Sequence, residues 1–204
     1  MRTLVPLVLT LLLALTGCLS VPVADGEPDS APPTLAALTL APEASTAGYS
    51  RDRFPHWSDQ GGGCDTREIV IRDQGAAVVT DGSCRATAGR WVSAYDGVTV
   101  TDATKLDVDH VVPLAEAWRS GASAWTDRQR AAFANDTVNP QLVAVTARSN
   151  RAKGDRDPAK WMPVADYRCA YAANWLAVKA AYRLTVDRAE RDTLAAVLAD
   201  CGGR

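Results

Sequence analysis

The sequence predicts an α+β domain, and three patterns predict it. Short β-rich runs punctuated by turn residues occupy residues 67–112. Helical periodicity takes over near the C-terminus, where Tyr167, Tyr171, Asn174, Trp175, Val178 and Tyr182 fall on one face. Between these regions, strand-like and helix-like pieces alternate without any internal repeat. The 204 residues are 47% hydrophobic and 23% charged, which allows one packed domain and excludes wholesale disorder.

The N-terminus reads as an address. Arg2 precedes an apolar run from Leu4 to Leu15, too short to cross a bilayer, which takes about 20 helical residues. It has the form of a signal-peptide core, so residues 1–17 are expected to be a signal peptide. The run ends in Leu15-Thr16-Gly17-Cys18, which matches the bacterial lipobox, so Cys18 is the expected lipidation site. Residues 18–47 are rich in Pro, Ala and Ser and read as a tether, with the folded domain expected over 48–204. This implies a lipoprotein on the extracellular face of the cell membrane, or a secreted protein.

Setting Cys18 aside leaves Cys64, Cys84, Cys169 and Cys201, an even number in an exported chain and so candidates for disulfides. Cys64 and Cys84 are equidistant from Gln74, between the β-rich runs 67–72 and 76–80, and a hairpin there would join them. Cys169 and Cys201 are equidistant from Thr185 and would be joined by an antiparallel helix pair.

Other elements follow in order. Trp91–Tyr95 and Val98–Thr101 flank Asp96-Gly97, a strong turn signal, and read as a strand pair. Lys105–Val112 reads as a strand end stopped by Pro113, and Leu114–Arg119 as a helix. Thr126 can cap a helix over Asp127–Ala134. A short strand over Gln141–Val145 leads to Thr146, which can cap a helix ended by Gly154. Asp157-Pro158 should open another short helix. Asp187 and Glu190 form a capping box for the last helix, with Leu194, Val197, Leu198 and Cys201 as its inner stripe.

The stretch richest in chemistry is Leu106-Asp-Val-Asp-His-Val-Val-Pro113, followed by Asn139 and then Ser149-Asn-Arg-Ala-Lys-Gly-Asp155. The order Asp-His, Asn, Asn-x-x-Lys resembles the HNH endonucleases of the ββα-metal superfamily. It is especially similar to bacterial secreted HNH-family proteins carrying Asp-His-Val-Val-Pro-Leu-Ala-Glu-Ala-Trp, here Asp109 to Trp118. The similarity runs from about Tyr49 to Cys201. It implies a ββα-metal core and metal-dependent hydrolysis of DNA, or of RNA, with low sequence specificity. His110 would be the general base, and Asn139 would hold the loop that orients it.

The residue types suit that chemistry. Imidazole titrates near neutrality. Asp109 and Asn150 offer hard oxygen ligands for Mg²⁺ or Mn²⁺. Only two histidines occur, His56 and His110, which excludes a site with three His ligands. His56, in Phe54-Pro-His-Trp57, reads as a packed loop residue, and Asp107 shares a strand face with Asp109. With a net charge of −2 the whole chain is no basic nucleic-acid coat. Residues 148–160 nevertheless carry a local +3, from which Arg151, Lys153 and Arg156 are the expected nucleic-acid contacts. A monomer is expected. The rival class is a non-catalytic surface lipoprotein that binds an envelope polymer or a protein partner. Convergence of Asp109, His110 and Asn150 on one cavity would separate the two.

Overall fold

The structure, a computed structural model, describes residues 34–202. The expected signal peptide, the lipobox Cys18 and the first part of the tether lie outside these residues. Within them the fold is α+β, with two small antiparallel sheets and six α-helices. The last part of the Pro-rich segment lies on the domain: the Ala41 N–H donates to Val186 O, and Glu43 pairs with Arg119 and Lys160.

The first element corrects the sequence reading. Residues 67–72, expected as a strand, form helix α1 (Thr66–Asp73). Asp65 and Glu68 make a reciprocal capping box, at 2.8 and 2.9 Å, which satisfies two of the donors a helix start leaves orphaned. Val70 and Ile71 are buried against Trp91, Leu106 and Leu142. Cap and packing together outweigh the weak strand preference of Ile69-Val70-Ile71.

Strand β1 (Ala76–Thr80) therefore pairs forward with β2 (Ala86–Val92), not backward. The Cys64–Cys84 bridge forms as expected, with Cα atoms 5.0 Å apart. It joins the segment before α1 to the turn between β1 and β2 rather than the ends of one hairpin. Strand β3 (Thr99–Val100) completes the sheet by pairing with β2 across the Asp96-Gly97 turn. Gly97 has φ +70°, a conformation that glycine adopts without a Cβ penalty.

The second sheet is the pair that positions the site. Strands β4 (Leu106–His110) and β5 (Leu142–Thr146) are antiparallel in unbroken register, from Leu106 opposite Thr146 to His110 opposite Leu142. Side chains alternate across this ribbon. Leu106, Val108, Leu142 and Ala144 face α1 and Trp91. Val143 and Val145 belong to the larger core, built also from Phe54, Tyr95, Trp118, Phe133, Tyr171 and Trp175. Asp107 and Asp109 stand opposite Val145 and Val143. Between the strands run α2 (Leu114–Arg119) and α3 (Asp127–Ala134), the latter capped by Thr126 as the sequence predicts.

Helix α4 (Ala147–Lys153) follows β5 directly, with Thr146 as its cap. Gly154 ends it at φ +59°. The helix expected from Asp157-Pro158 does not form. Asp157 is buried, and its carboxylate accepts the Ala159 N–H at 2.8 Å and the Lys160 ammonium at 2.6 Å. That local turn satisfies the backbone without propagating a helix, and Pro163 follows.

Helices α5 (Arg168–Ala181) and α6 (Arg188–Gly202) form the expected pair, joined by Cys169–Cys201 with Cα atoms 5.8 Å apart. The Asp187–Glu190 capping box is present. The buried Lys179 ammonium fastens this pair to α2: it reaches Glu116 and Ser120 Oγ at 2.8 Å and Glu190 at 2.9 Å.

Candidate functional site

Helix α4 lies over the aspartate face of β4 and meets it twice. Asn150 Nδ2 donates to Asp107 Oδ2 at 3.0 Å, and Lys153 Nζ donates to Asp109 Oδ2 at 2.6 Å. Three residues of helix rise about 4.5 Å and two of strand about 6.7 Å, so long side chains span the mismatch. The i, i+3 pair Asn150 and Lys153 on α4 thus meets the i, i+2 pair of aspartates on β4.

Asp109 is buried, and a second donor, Tyr95 Oη, reaches the same Oδ2 at 2.7 Å. Oδ1 is the carboxylate oxygen that neither Lys153 nor Tyr95 holds. Burial pushes the Asp109 carboxyl up and the Lys153 ammonium down, while each holds the other charged. Tyr95, its pKa raised well above the usual range by burial, remains a proton donor.

His110 is also buried, at the end of β4. Its Nε2 lies 2.9 Å from Ala134 O at the end of α3. A carbonyl can only accept, so Nε2 carries the proton and Nδ1 is left as the basic nitrogen. Burial lowers its pKa to about 3, assisted by the charges of Arg51 and Lys153 and opposed by the Ala134 bond. The ring is therefore neutral at pH 7. Trp57 stacks on it, with centroids 5.6 Å apart and planes 24° from parallel. Trp57 takes φ +61°, a left-handed conformation costly for a bulky residue and one held by the surrounding loop.

Asp109, His110 and Asn150 line one cleft of about 300 Å³, with Tyr49, Arg51, Arg151, Gly154 and Asp155 around it. The three expected site residues are thus brought together. Asn139 stands apart from the cleft. Its Nδ2 donates to Asp136 Oδ2 at 2.7 Å, and Asp136 also accepts the Tyr182 hydroxyl at 2.8 Å. It ties down the loop that begins at Ala134, whose carbonyl holds His110.

Lys153 requires a correction. Expected to contact nucleic acid, it has no exposed surface, and its ammonium serves Asp109 and the carbonyl of His110 at 2.8 Å. Arg151 is exposed and lines the cleft. Arg156 is exposed but turns back to donate to Ala152 O at 2.6 Å. Sequence reasoning missed Arg51, Trp57 and Tyr95. Arg51 sits 59 positions before His110 in the chain, and its Nε donates to His56 Nε2 at 3.4 Å. No local pattern marks any of the three, because only the folded loop 48–58 and the β2–β3 turn bring them to β4.

The Asp109 carboxylate, which also takes the His110 backbone N–H, and Asn150 Oδ1 are hard oxygens beside a neutral imidazole. Asn150 Oδ1 is left over because the amide must turn its NH₂ toward the Asp107 carboxylate. Oxygens of this type are the ones that could hold a hard divalent cation.

Fold and site together fit a nuclease-type protein. The family model described as "GmrSD restriction endonucleases, C-terminal domain" matches residues 80–197, more than half of the chain, and the chain belongs to that family. It is also 51% identical over 168 residues to a protein of Arthroderma benhamiae described as an "Uncharacterized secreted protein", covering 82% of each chain. No solved structure matches.

Proposed function

We propose that this cleft is the active site of an HNH-type, metal-dependent endonuclease that hydrolyses phosphodiester bonds of DNA, with RNA as a second substrate, at low sequence specificity. The observation that carries the reading is the convergence of Asp109, His110 and Asn150 on one cleft. The succession β4, β5, α4 around it supports a ββα-metal core, and membership of a nuclease-type family supports the reaction class.

His110 Nδ1 takes the proton of the attacking water as its oxygen bonds to phosphorus and the bond to the 3′ oxygen breaks. The leaving oxygen is protonated from solvent. Products carry 5′-phosphate and 3′-hydroxyl ends. The Ala134 carbonyl fixes the ring's tautomer, Trp57 fixes its plane, and Asn139 positions the loop that carries Ala134. A phosphodiester in the cleft places negative charge beside the ring, which offsets Arg51 and Lys153 and makes Nδ1 a stronger base. Asp109 and Asn150 would hold Mg²⁺ or Mn²⁺, which when bound supplies Lewis-acid stabilisation of the charge developing at phosphorus. Lys153 and Tyr95 keep the Asp109 carboxylate oriented. Arg51 and Arg151 draw the phosphate in.

The place of action is proposed to be outside the cytoplasm, with Cys18 as a lipid anchor. The two disulfides and the secreted description of the fungal relative support export. Cys18→Ser should move the protein from the membrane to the soluble fraction, and an unchanged membrane fraction with normal signal cleavage would defeat the anchor.

The test of the activity is incubation of purified protein with supercoiled plasmid. Nicking with Mg²⁺ or Mn²⁺ that a chelator abolishes is expected. Absence of nicking across divalent cations, with the fold intact, would leave a binding protein in its place.

A further inference from the structure

A larger groove of about 670 Å³ adjoins the cleft and shares Arg151 with it. Val98 to Asp102, Thr104 and Lys105 line one side, and Thr146, Ala147, Arg148 and Arg151 the other. Arg151 lines both groove and cleft, and Asp107, which holds the amide of Asn150, lines the groove. The groove is thus continuous with the site at that point.

Its chemistry is that of a phosphate track. Lys105, Arg148 and Arg151 are exposed along it, and among the described residues none of the three is in an ion pair. Thr99 and Thr101 add hydroxyls, which serve phosphate oxygens well. Of its two acids, Asp102 is turned back on Thr104, accepting its N–H at 3.0 Å and its hydroxyl at 2.6 Å. Asp107 is engaged by Asn150. No aromatic side chain lines the groove, so it offers no platform on which unpaired bases could stack.

We infer that this groove carries the sugar–phosphate backbone of a DNA strand away from the cut, gripped by Lys105 and Arg148 and handed to the cleft by Arg151. The inference rests on the nuclease reading for the cut itself, but not for binding. It assigns a role to Lys105, which precedes β4 and lies outside the basic run 148–160. It also makes the grip independent of base identity, since every contact is to the backbone.

The experiment measures binding apart from cleavage. A fluorescein-labelled DNA duplex is titrated with the full mature protein in chelator, across a salt series, by anisotropy. Lys105→Ala/Arg148→Ala is compared with Arg128→Ala/Arg188→Ala, which removes equal charge from α3 and α6, away from groove and cleft. Thermal melting checks that both fold. The groove variant should bind about tenfold more weakly, with a log–log salt slope shallower by about 1.8, two phosphate contacts' worth. The control pair should stay within twofold of wild type. Equal weakening in both pairs would mean net charge alone, and the proposal falls. Wild-type affinity in the groove variant also overturns it, whether or not plasmid is nicked. Weakened binding in a protein that never nicks would sustain the groove and sink the nuclease reading. Failure of the wild type to bind DNA overturns the groove proposal outright.

Discussion

The Lys153 ammonium lies 2.6 Å from Asp109 Oδ2 in a site closed to solvent on the lysine side, so the basic residue of Asn-x-x-Lys serves the protein's own carboxylate. Removing the lysine strands a buried carboxylate, which typically costs 3–5 kcal/mol. Lys153→Ala should therefore lower stability by roughly 3–5 kcal/mol in urea denaturation and abolish most nicking. A lysine that merely touched phosphate would change the salt dependence and leave stability alone.

The three cleft residues should separate by assay. His110→Ala should remove most nicking while Mn²⁺ affinity holds within a few-fold. It should also lose about 1–3 kcal/mol of stability, because Ala134 O is left without its donor. Asp109→Ala should lose metal affinity as well as nicking, since it removes the one charged ligand proposed. Asn150→Ala should weaken metal binding less, an amide oxygen being the poorer ligand for a hard cation. Calorimetric Mn²⁺ titration beside plasmid nicking distinguishes these outcomes, and undiminished nicking by the His110 variant would mean another base.

Arg51 lies in the cleft without an acidic partner among the described residues. Arg51→Ala should cut kcat/KM for nicking roughly ten- to a hundredfold, with Arg51→Lys recovering part of it. Because the side chain is exposed, melting temperature should hold. Wild-type nicking kinetics in the alanine variant would remove Arg51 from the mechanism.

Away from the site, burial raises the Glu190 carboxyl from 4.5 to about 7, with Lys179 pulling against it and Glu116 adding to it. A carboxyl raised in the folded state stabilises below its unfolded pKa and loses that contribution as pH rises through the folded one. This group's part of the stability should decline between about pH 4.5 and 7. Glu190→Gln keeps an acceptor for the Trp175 indole N–H and should flatten the melting temperature across that window. An identical pH profile in the variant would place the ionisation elsewhere.

Much of this protein is written locally. Thr126 caps α3 and Thr146 caps α4 at the positions where short-range signals put them. The Asp96-Gly97 turn, the stop at Pro113 and the α5–α6 pair with its disulfide are likewise near-neighbour matters, set by turn chemistry and helical period. Asp109, His110 and Asn150 could be singled out because their residue types and order suit the proposed chemistry.

Tertiary structure decided what local pattern cannot encode. Ile69-Val70-Ile71 suits a strand as well as a helix, and the Asp65–Glu68 cap together with burial against Trp91 made it helical. Lys153 reads as an exposed base in one dimension, and only the packing of α4 on β4 turned it inward to Asp109. Tyr95, Arg51 and Trp57 entered the site from distant loops, because hydrogen bonds and desolvation depend on proximity in space, and spacing along the chain does not determine it.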